Sequence, residues 1–380
     1  MKNIYLILLM LLSIGCGNVI APTRACDTIP VFWEGEPILI LDENGEPSIN
    51  EPCIIPVYIP DDPMFPWKWD LFCIDAPTAW DSIYLNELQP VTVAVIDTGV
   101  QQDHPDMLGS VLPGITIMTW GYGETGDGSQ PYGNGLDDDE DGMIDENVGH
   151  GTHVAGVIAE TANNQIGACG IGGNVSILPI RVYPSDGDHD ASIKDVASAI
   201  EYAADYPGVR IINLSLGTHY NSYYLSDAIE YALSKNVIVV AAAGNNGSSV
   251  PFYPAAYDGV IAVAAWMSLD GEQQPWPKSN FGGWVDCIAP GCGIWSPKFP
   301  SGYQAPSGTS LASPCVVGIL AILMSYDEEW TNEHCTQALF LGCTPYPPLV
   351  PSPGPEPTPY EIRTYGAGLV NLLDSFEYAL

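Results

Sequence analysis

From Asp61 onward the chain alternates two kinds of hydrophobic pattern. Short, mostly apolar runs rich in β-branched residues occur at VTVAVID (91–97), VSILPIRVY (175–183), VRIINLSLG (209–217), VIVVAAAG (237–244) and GVIAVAAW (259–266). Runs of this length without polar alternation suit strands buried on both faces, as in a parallel sheet. Between them lie THVAGVIAETA (152–162), ASIKDVASAIEYAADY (191–206) and YYLSDAIEYALSKN (223–236). The first is helix-like, and the apolar spacing of the second, three and four apart, marks an amphipathic helix. SLASPCVVGILAILMSY (310–326) predicts an apolar helix, and GAGLVNLLDSFEYAL (366–380) a closing one. The alternation predicts an α/β fold, a three-layer sandwich with a mostly parallel central sheet. On such sheets ligands bind at the carboxyl ends of strands.

Two stretches break the pattern. Residues 26–60 are rich in Pro, Glu and Ile and read as a short irregular N-terminal extension ahead of one domain, 61–380. Within that domain TPYPPLVPSPGPEPTP (344–359) predicts an extended surface loop. The first 25 residues are of another kind. Lys2 precedes an apolar run from Ile4 to Ile14, too short to cross a bilayer, which takes about 20 residues. This is the form of a secretory signal peptide. Two processing routes fit: a lipoprotein signal ending at Cys16, which would attach the chain to a membrane through lipid, or ordinary cleavage after Ala21 or Ala25. Ser13 stands where lipoprotein signals prefer Leu.

Charge narrows the partners. With 46 acidic and 10 basic residues the net charge is −36, so few side chains could neutralise phosphates and nucleic acid is excluded. Such a surface attracts cations and basic peptides. Export permits disulfides. Of ten cysteines, Cys16 belongs to the signal, Cys315 in an apolar helix is the candidate free thiol, and Cys287–Cys292 and Cys335–Cys343 are the nearest pairs.

Three motifs carry chemistry. AVIDTGV ends a buried strand on Asp97, GHGTHVAG opens a helix at His150, and SGTSLASP places Ser310 at a helix start. Alone, each has a plain structural reading, such as a turn cap or an N-cap. Together they supply a nucleophile, its base and the carboxylate that orients the base. The order Asp, His, Ser differs from that of α/β-hydrolases and of chymotrypsin-type enzymes. A second acidic motif precedes His150. Asp137, Asp139 and Asp141 alternate, Gly142 stands sixth, Met143 offers a carbonyl at the seventh place and Asp145 stands ninth. That is EF-hand-like spacing for Ca²⁺, although Val148 occupies the twelfth place where a bidentate Glu is expected. The competing reading is a solvated acidic loop.

On these residues, and on HPDM, INLSLG, VVAAAGNNG, YPAAY and IAPG, the chain resembles the subtilisin-like serine proteases, nearest to their thermitase-like branch. The resemblance runs from DDPMF at 61 to the last helix. It implies a subtilisin-like fold and an exported serine endopeptidase, monomeric and acting on polypeptides. Asp97, His150 and Ser310 would form the triad, and the Asn245 side chain would join the Ser310 backbone N–H in the oxyanion hole. Ser215, Leu216 and Gly217 would form one wall of the substrate cleft, with Ala243 and Gly244 as the other. The clefts of such enzymes favour apolar or aromatic side chains. His153 takes a structural role by the same pattern, and His104, His189, His219 and His334 default to loop or surface positions. The resemblance also implies a structural Ca²⁺ site from Asp62, Asp106, the Asn164 side chain and the carbonyls of Thr161, Ile166 and Ala168. Calcium is therefore expected at one or two sites. The chain departs from the family pattern at Leu311 (usually Met), at Cys315 (usually His) and in its short extension. The competing class is a catalytically silent calcium-binding surface protein on the same scaffold; an esterase reading lacks the G-x-S-x-G elbow.

Overall fold

The structure, a computed structural model, describes residues 32–33, 36–37, 58–83, 88–118, 148–184, 190–269, 272–346 and 364–380. The 137–145 loop, the signal segment and residues 347–359 of the Pro-rich stretch lie outside them. Eight strands form the central sheet: β1 (Val91–Asp97), β2 (Ile115–Thr116), β3 (Val175–Arg181), β4 (Val209–Leu214), β5 (Ile238–Ala242), β6 (Val260–Leu269), β7 (Glu272–Pro275) and β8 (Cys287–Pro290). Their order is β8-β6-β5-β4-β1-β3-β2, all parallel, with β7 antiparallel on β6. The chain leaves β1 for β2 and β3 on one side, then crosses to β4 on the other. The carboxyl ends of β1 and β4 therefore flank the point where strand order reverses, the usual binding crevice of an open α/β sheet.

The period-two alternation of the strands feeds two cores. Val91, Val93 and Val95 of β1 face one, and Ala94 and Ile96 face the other. The first is closed by α1 (Trp69–Cys73), α2 (Ala76–Ile83), α3 (Val148–Ala159), α6 (Thr309–Tyr326), α7 (Asn332–Leu341) and α8 (Leu372–Ala379). The second is closed by α4 (Ile193–Asp205) and α5 (Tyr223–Ser234). Helix α6 has the length and apolarity of a membrane span, but 89% of it is buried inside the fold. A helix apolar on every side needs such a position.

A buried charge cluster joins the chain ahead of β1 to the end of α3. Lys68 Nζ lies 3.0 Å from Asp70 Oδ2 and 3.9 Å from Glu160 Oε2, and donates to the Trp295 carbonyl at 2.9 Å. Burial opposes the lysine charge, but the two carboxylates outweigh it and raise its pKa. Removing one partner from so dry a cluster would leave an uncompensated charge.

The two near-neighbour cysteine pairs are not joined; Cys287, Cys292, Cys335 and Cys343 are all free thiols. Cys287 opens β8, which rises ~3.3 Å per residue, so its fifth neighbour falls beyond the ~7 Å Cα reach of a disulfide. Cys335 sits in α7, whose ~1.5 Å rise per residue carries Cys343 similarly far. Cys315 is a buried thiol in α6.

Candidate active site

Adjacent strands β5, β4 and β1 deliver their carboxyl ends to one edge of the sheet. Asp97 is the last residue of β1 and is 1% exposed. Its Oδ1 accepts the Thr98 N–H at 2.7 Å and lies 2.8 Å from His150 Nδ1. Thr98 also receives the Gly151 N–H at 2.9 Å, and the Thr152 hydroxyl oxygen receives that of Gln101 at 2.8 Å. These bonds lash the first turn of α3 to the end of β1. A Cβ at Gly151 would stand 2.2 Å from the Gly99 carbonyl oxygen and 3.2 Å from Asp97 Oδ1, so only glycine permits this approach.

With Asp97 ionised, the proton of a neutral His150 belongs on Nδ1, and Nε2 keeps its lone pair. Nearly half the imidazole side chain, 45%, remains exposed. Its crowded setting works against protonation, but the charge of Asp97 and its hydrogen bond prevail, so the pKa is raised above that of a free histidine. His153 is the opposite case. It is buried, its Nε2 is 3.0 Å from the Ile294 carbonyl, and burial depresses its pKa to about 3. It stays neutral at ordinary pH.

Ser310 is the second residue of α6 and is held from both sides. Its carbonyl accepts the Ser215 hydroxyl at 2.7 Å. Ser215 receives Asn213 Nδ2 at 2.9 Å, and Asn213 Oδ1 receives the Ser313 hydroxyl at 2.6 Å. This buried chain clamps the end of β4 to α6. Asn245 follows β5, and its Oδ1 accepts both the N–H and the hydroxyl of Thr309, each at 2.9 Å. That pairing assigns the carbonyl side of the amide and turns Nδ2 away as a donor. A Cβ at Gly308 would lie 3.0 Å from Ser310 Oγ and 3.4 Å from Asn245 Nδ2, so hydroxyl and amide face one small space. The turn after Gly244 is shaped by Asn280, fully buried, which donates to the Ala243 carbonyl and accepts the N–H groups of Asn246 and Ser248. Ser215, Leu216 and Gly217 extend from β4, and Ala243 and Gly244 from β5, as two facing backbone segments.

Sequence reasoning did not single out Thr98, Asn213, Asn280, Thr309 or Ser313. Each lies beside a motif residue or one strand away. Only the folded pairing turns these common polar residues into ties. His104 also departs from expectation. It is 1% exposed, its Nδ1 accepts the Asp106 N–H at 3.3 Å and its Nε2 meets the Gly302 carbonyl. HPDM turns inward, with His104, Asp106 and Met107 all buried.

The residues expected to hold the first calcium converge. Asp62 accepts the N–H groups of Asn163 and Asn164 at 2.8 and 3.0 Å. Asp106 accepts Asn164 Nδ2 at 2.7 Å, the Ala168 N–H at 3.2 Å and the Tyr303 hydroxyl at 3.0 Å. Thr161 N–H donates to the Asp106 carbonyl, and Ile166 N–H to Asn164 Oδ1. Both carboxylates are buried, and desolvation raises the pKa of each. No basic side chain within ion-pair distance of either is recorded among the described residues, and no group of three or more His, Cys, Asp or Glu residues placed to hold a metal occurs there. Two buried acids joined through Asn164 make an acidic oxygen set of the kind a hard cation takes.

Residues 89–344 match the family model described as Subtilase family. The chain is 42% identical over 247 residues to a thermophilic serine proteinase of Bacillus sp. (strain AK1), covering 65% of this chain and 55% of that protein. It is 38% identical over 276 residues to thermitase of Thermoactinomyces vulgaris, covering 72% of this chain and 88% of that one. A solved protease structure from Pseudoalteromonas arctica PAMC 21717 superposes with a TM-score of 0.68 at 26% identity, over 84% of this chain and 99% of the other. With two thirds of its length inside the family model and this sheet order behind its motifs, the chain belongs to the subtilase family of serine proteases.

Proposed function

We propose that this chain is an exported serine endopeptidase that cleaves peptide bonds through Asp97, His150 and Ser310, with Asn245 in the oxyanion hole. The observation that carries this reading is the 2.8 Å contact between His150 Nδ1 and Asp97 Oδ1 at the strand edge that also carries Ser215 and Asn245. Ser310 Oγ attacks the scissile carbonyl as His150 Nε2 takes its proton. Buried Asp97 stabilises the imidazolium without taking that proton. The carbonyl oxygen would become an oxyanion held by Asn245 Nδ2 and the Ser310 N–H. His150 then protonates the leaving amine, and water releases the acyl group by the reverse proton path. Ser215 to Gly217 would pair with the substrate backbone as an added strand.

A fluorophosphonate probe tests the reading. One label per chain, mapped to the peptide containing Ser310 and accompanied by peptide hydrolysis, is expected. Absence of labelling in folded protein favours the catalytically silent alternative.

Calcium bound by Asp62, Asp106, Asn164 and the carbonyls of Thr161, Ile166 and Ala168 would neutralise two buried acids and brace the loop leaving α3. The ion supplies stability there, with no part in the chemistry. Saturating Ca²⁺ at a hundred times its Kd adds about 2.7 kcal/mol of stability. At roughly 2 °C per kcal/mol for a large domain, excess EDTA should lower the Tm by about 5 °C. An unmoved Tm by differential scanning calorimetry refutes the site. Export is supported by the signal-like first 25 residues; mass spectrometry of the mature protein decides between lipidated Cys16 and cleavage after Ala21 or Ala25.

A further inference from the structure

The two backbone walls beside Asn245 do not enclose an open slot. The ring of Phe252 lies against both. A Cβ placed on Gly217 would stand 2.4 Å from Phe252 Cε1 and 2.9 Å from Cδ1. One placed on Gly244 would stand 2.9 Å from the same Cδ1 and 3.0 Å from Cγ. Two glycines from neighbouring strand ends thus touch a single ring edge. The same space is shared with the Tyr253 carbonyl, 2.6 Å from a Cβ on Gly217, and with Asn280 Nδ2, 2.5 Å from one on Gly244, so the ring is packed in with no side chain from either wall.

The ring cannot retreat with its backbone. Thr218 and Tyr253 exchange N–H···O hydrogen bonds of 2.7 Å in both directions, pinning the Phe252 segment to the Ser215–Gly217 wall. The Phe252 carbonyl accepts the Ala256 N–H, and the His219 ring packs edge-on at 5.1 Å. Rotation about the side-chain bonds is the motion left. It would break the stacking and carry a half-buried apolar ring toward water.

Position tells what the ring excludes. Asn245 follows Gly244 directly and presents Nδ2 beside Ser310 Oγ. A substrate whose carbonyl is held there carries its own side chain into the slot between Gly217 and Gly244. A large side chain and the Phe252 ring cannot share that volume without strain. We infer that Phe252 fills the pocket for the residue on the acyl side of the scissile bond and restricts cleavage to small residues there: glycine, alanine or serine. This rests on the protease reading above. It runs against the apolar or aromatic preference that the family resemblance implies.

The test compares two peptide substrates that differ only in the residue before the cleaved bond, Ala or Phe. Wild-type and Phe252→Gly enzymes are each titrated with the fluorophosphonate to count competent sites. A single methylene in a pocket already changes kcat/KM by about tenfold or more. Wild type should therefore favour the Ala substrate by at least ~10-fold, and Phe252→Gly should raise kcat/KM for the Phe substrate by at least ~10-fold. Labelled wild-type enzyme that cleaves the Phe substrate as well as the Ala one overturns the inference and leaves the protease reading standing. So does a labelled Phe252→Gly enzyme with the wild-type ratio. Enzyme that neither labels nor cleaves overturns both. If Phe252→Gly does not fold, sequencing the peptides wild type releases from a denatured protein decides: carboxyl ends that are mostly Gly, Ala or Ser support the inference, and aromatic ends sink it.

Discussion

Ser310→Ala should lower kcat by about 10⁶-fold, the size expected when a triad nucleophile is lost. Nothing else at the site can replace it. His150 without Ser310 has only water to activate, and water is not held against the substrate carbonyl. A residual rate of about 10³-fold over solution should survive if the proposed oxyanion donors, Asn245 Nδ2 and the Ser310 N–H, act without the hydroxyl. The loss should appear in kcat, with KM little changed, since the hydroxyl matters most in the transition state. The Ser215 bond to the Ser310 carbonyl and the Asn213–Ser313 bond use no part of the Ser310 side chain, so the fold should persist. Adding Asp97→Asn to Ser310→Ala should cost little more, because the triad acts as one unit. A Ser310→Ala enzyme that keeps even one hundredth of the wild-type kcat places the nucleophile elsewhere.

Asp97→Asn should reduce kcat by about 10⁴-fold and also move the pH profile. The rate loss comes from the tautomer. An amide at position 97 can donate to Nδ1, which would put the proton on Nε2, where the lone pair is needed. The direction of the pH effect follows from charge. In the wild type, Asp97 raises the His150 pKa, so the base is neutral and active only above a value higher than the free-histidine ~6.5. The acid limb of kcat/KM should have its midpoint there, with activity rising as pH increases through it. Removing the charge leaves desolvation unopposed, so the residual activity of Asp97→Asn should titrate at lower pH than that of wild type. A limb that stays in place would mean that Asp97 does not set the charge of His150.

Much of this could be read along the chain. The strand β1 falls at 91–97 as its valine and isoleucine run predicts, because a stretch with five apolar residues among its first six positions has no partly solvated home in an α/β sheet. The apolar helix after SGTS has its expected place for the same reason. Helix α3 starts at Val148, ahead of the start expected at His150. The glycines at 149 and 151 discourage an early start by propensity, yet the close approach of Gly151 to Asp97 and Gly99 requires a helical turn with no side chain at that position. The helices α1, α2 and α7 were not among the elements expected from the chain; all three dock on the first core.

The sequence by itself determined the fold class, the family and the residue types of the candidate triad. Each depends on order and local pattern, which a linear chain carries. The tertiary structure decided what depends on distance between segments far apart in the chain. It set His150 beside Asp97 and fixed the orientation of the Asn245 amide through Thr309. It buried His104 and Lys68, which read as ordinary polar residues. It kept Cys287 from Cys292 and Cys335 from Cys343, because strand and helix rise hold near neighbours apart. Above all it put the Phe252 ring between Gly217 and Gly244, a contact 35 residues apart in one case and 8 in the other. No spacing rule announces that contact, because it arises only where neighbouring strand ends and a returning loop meet.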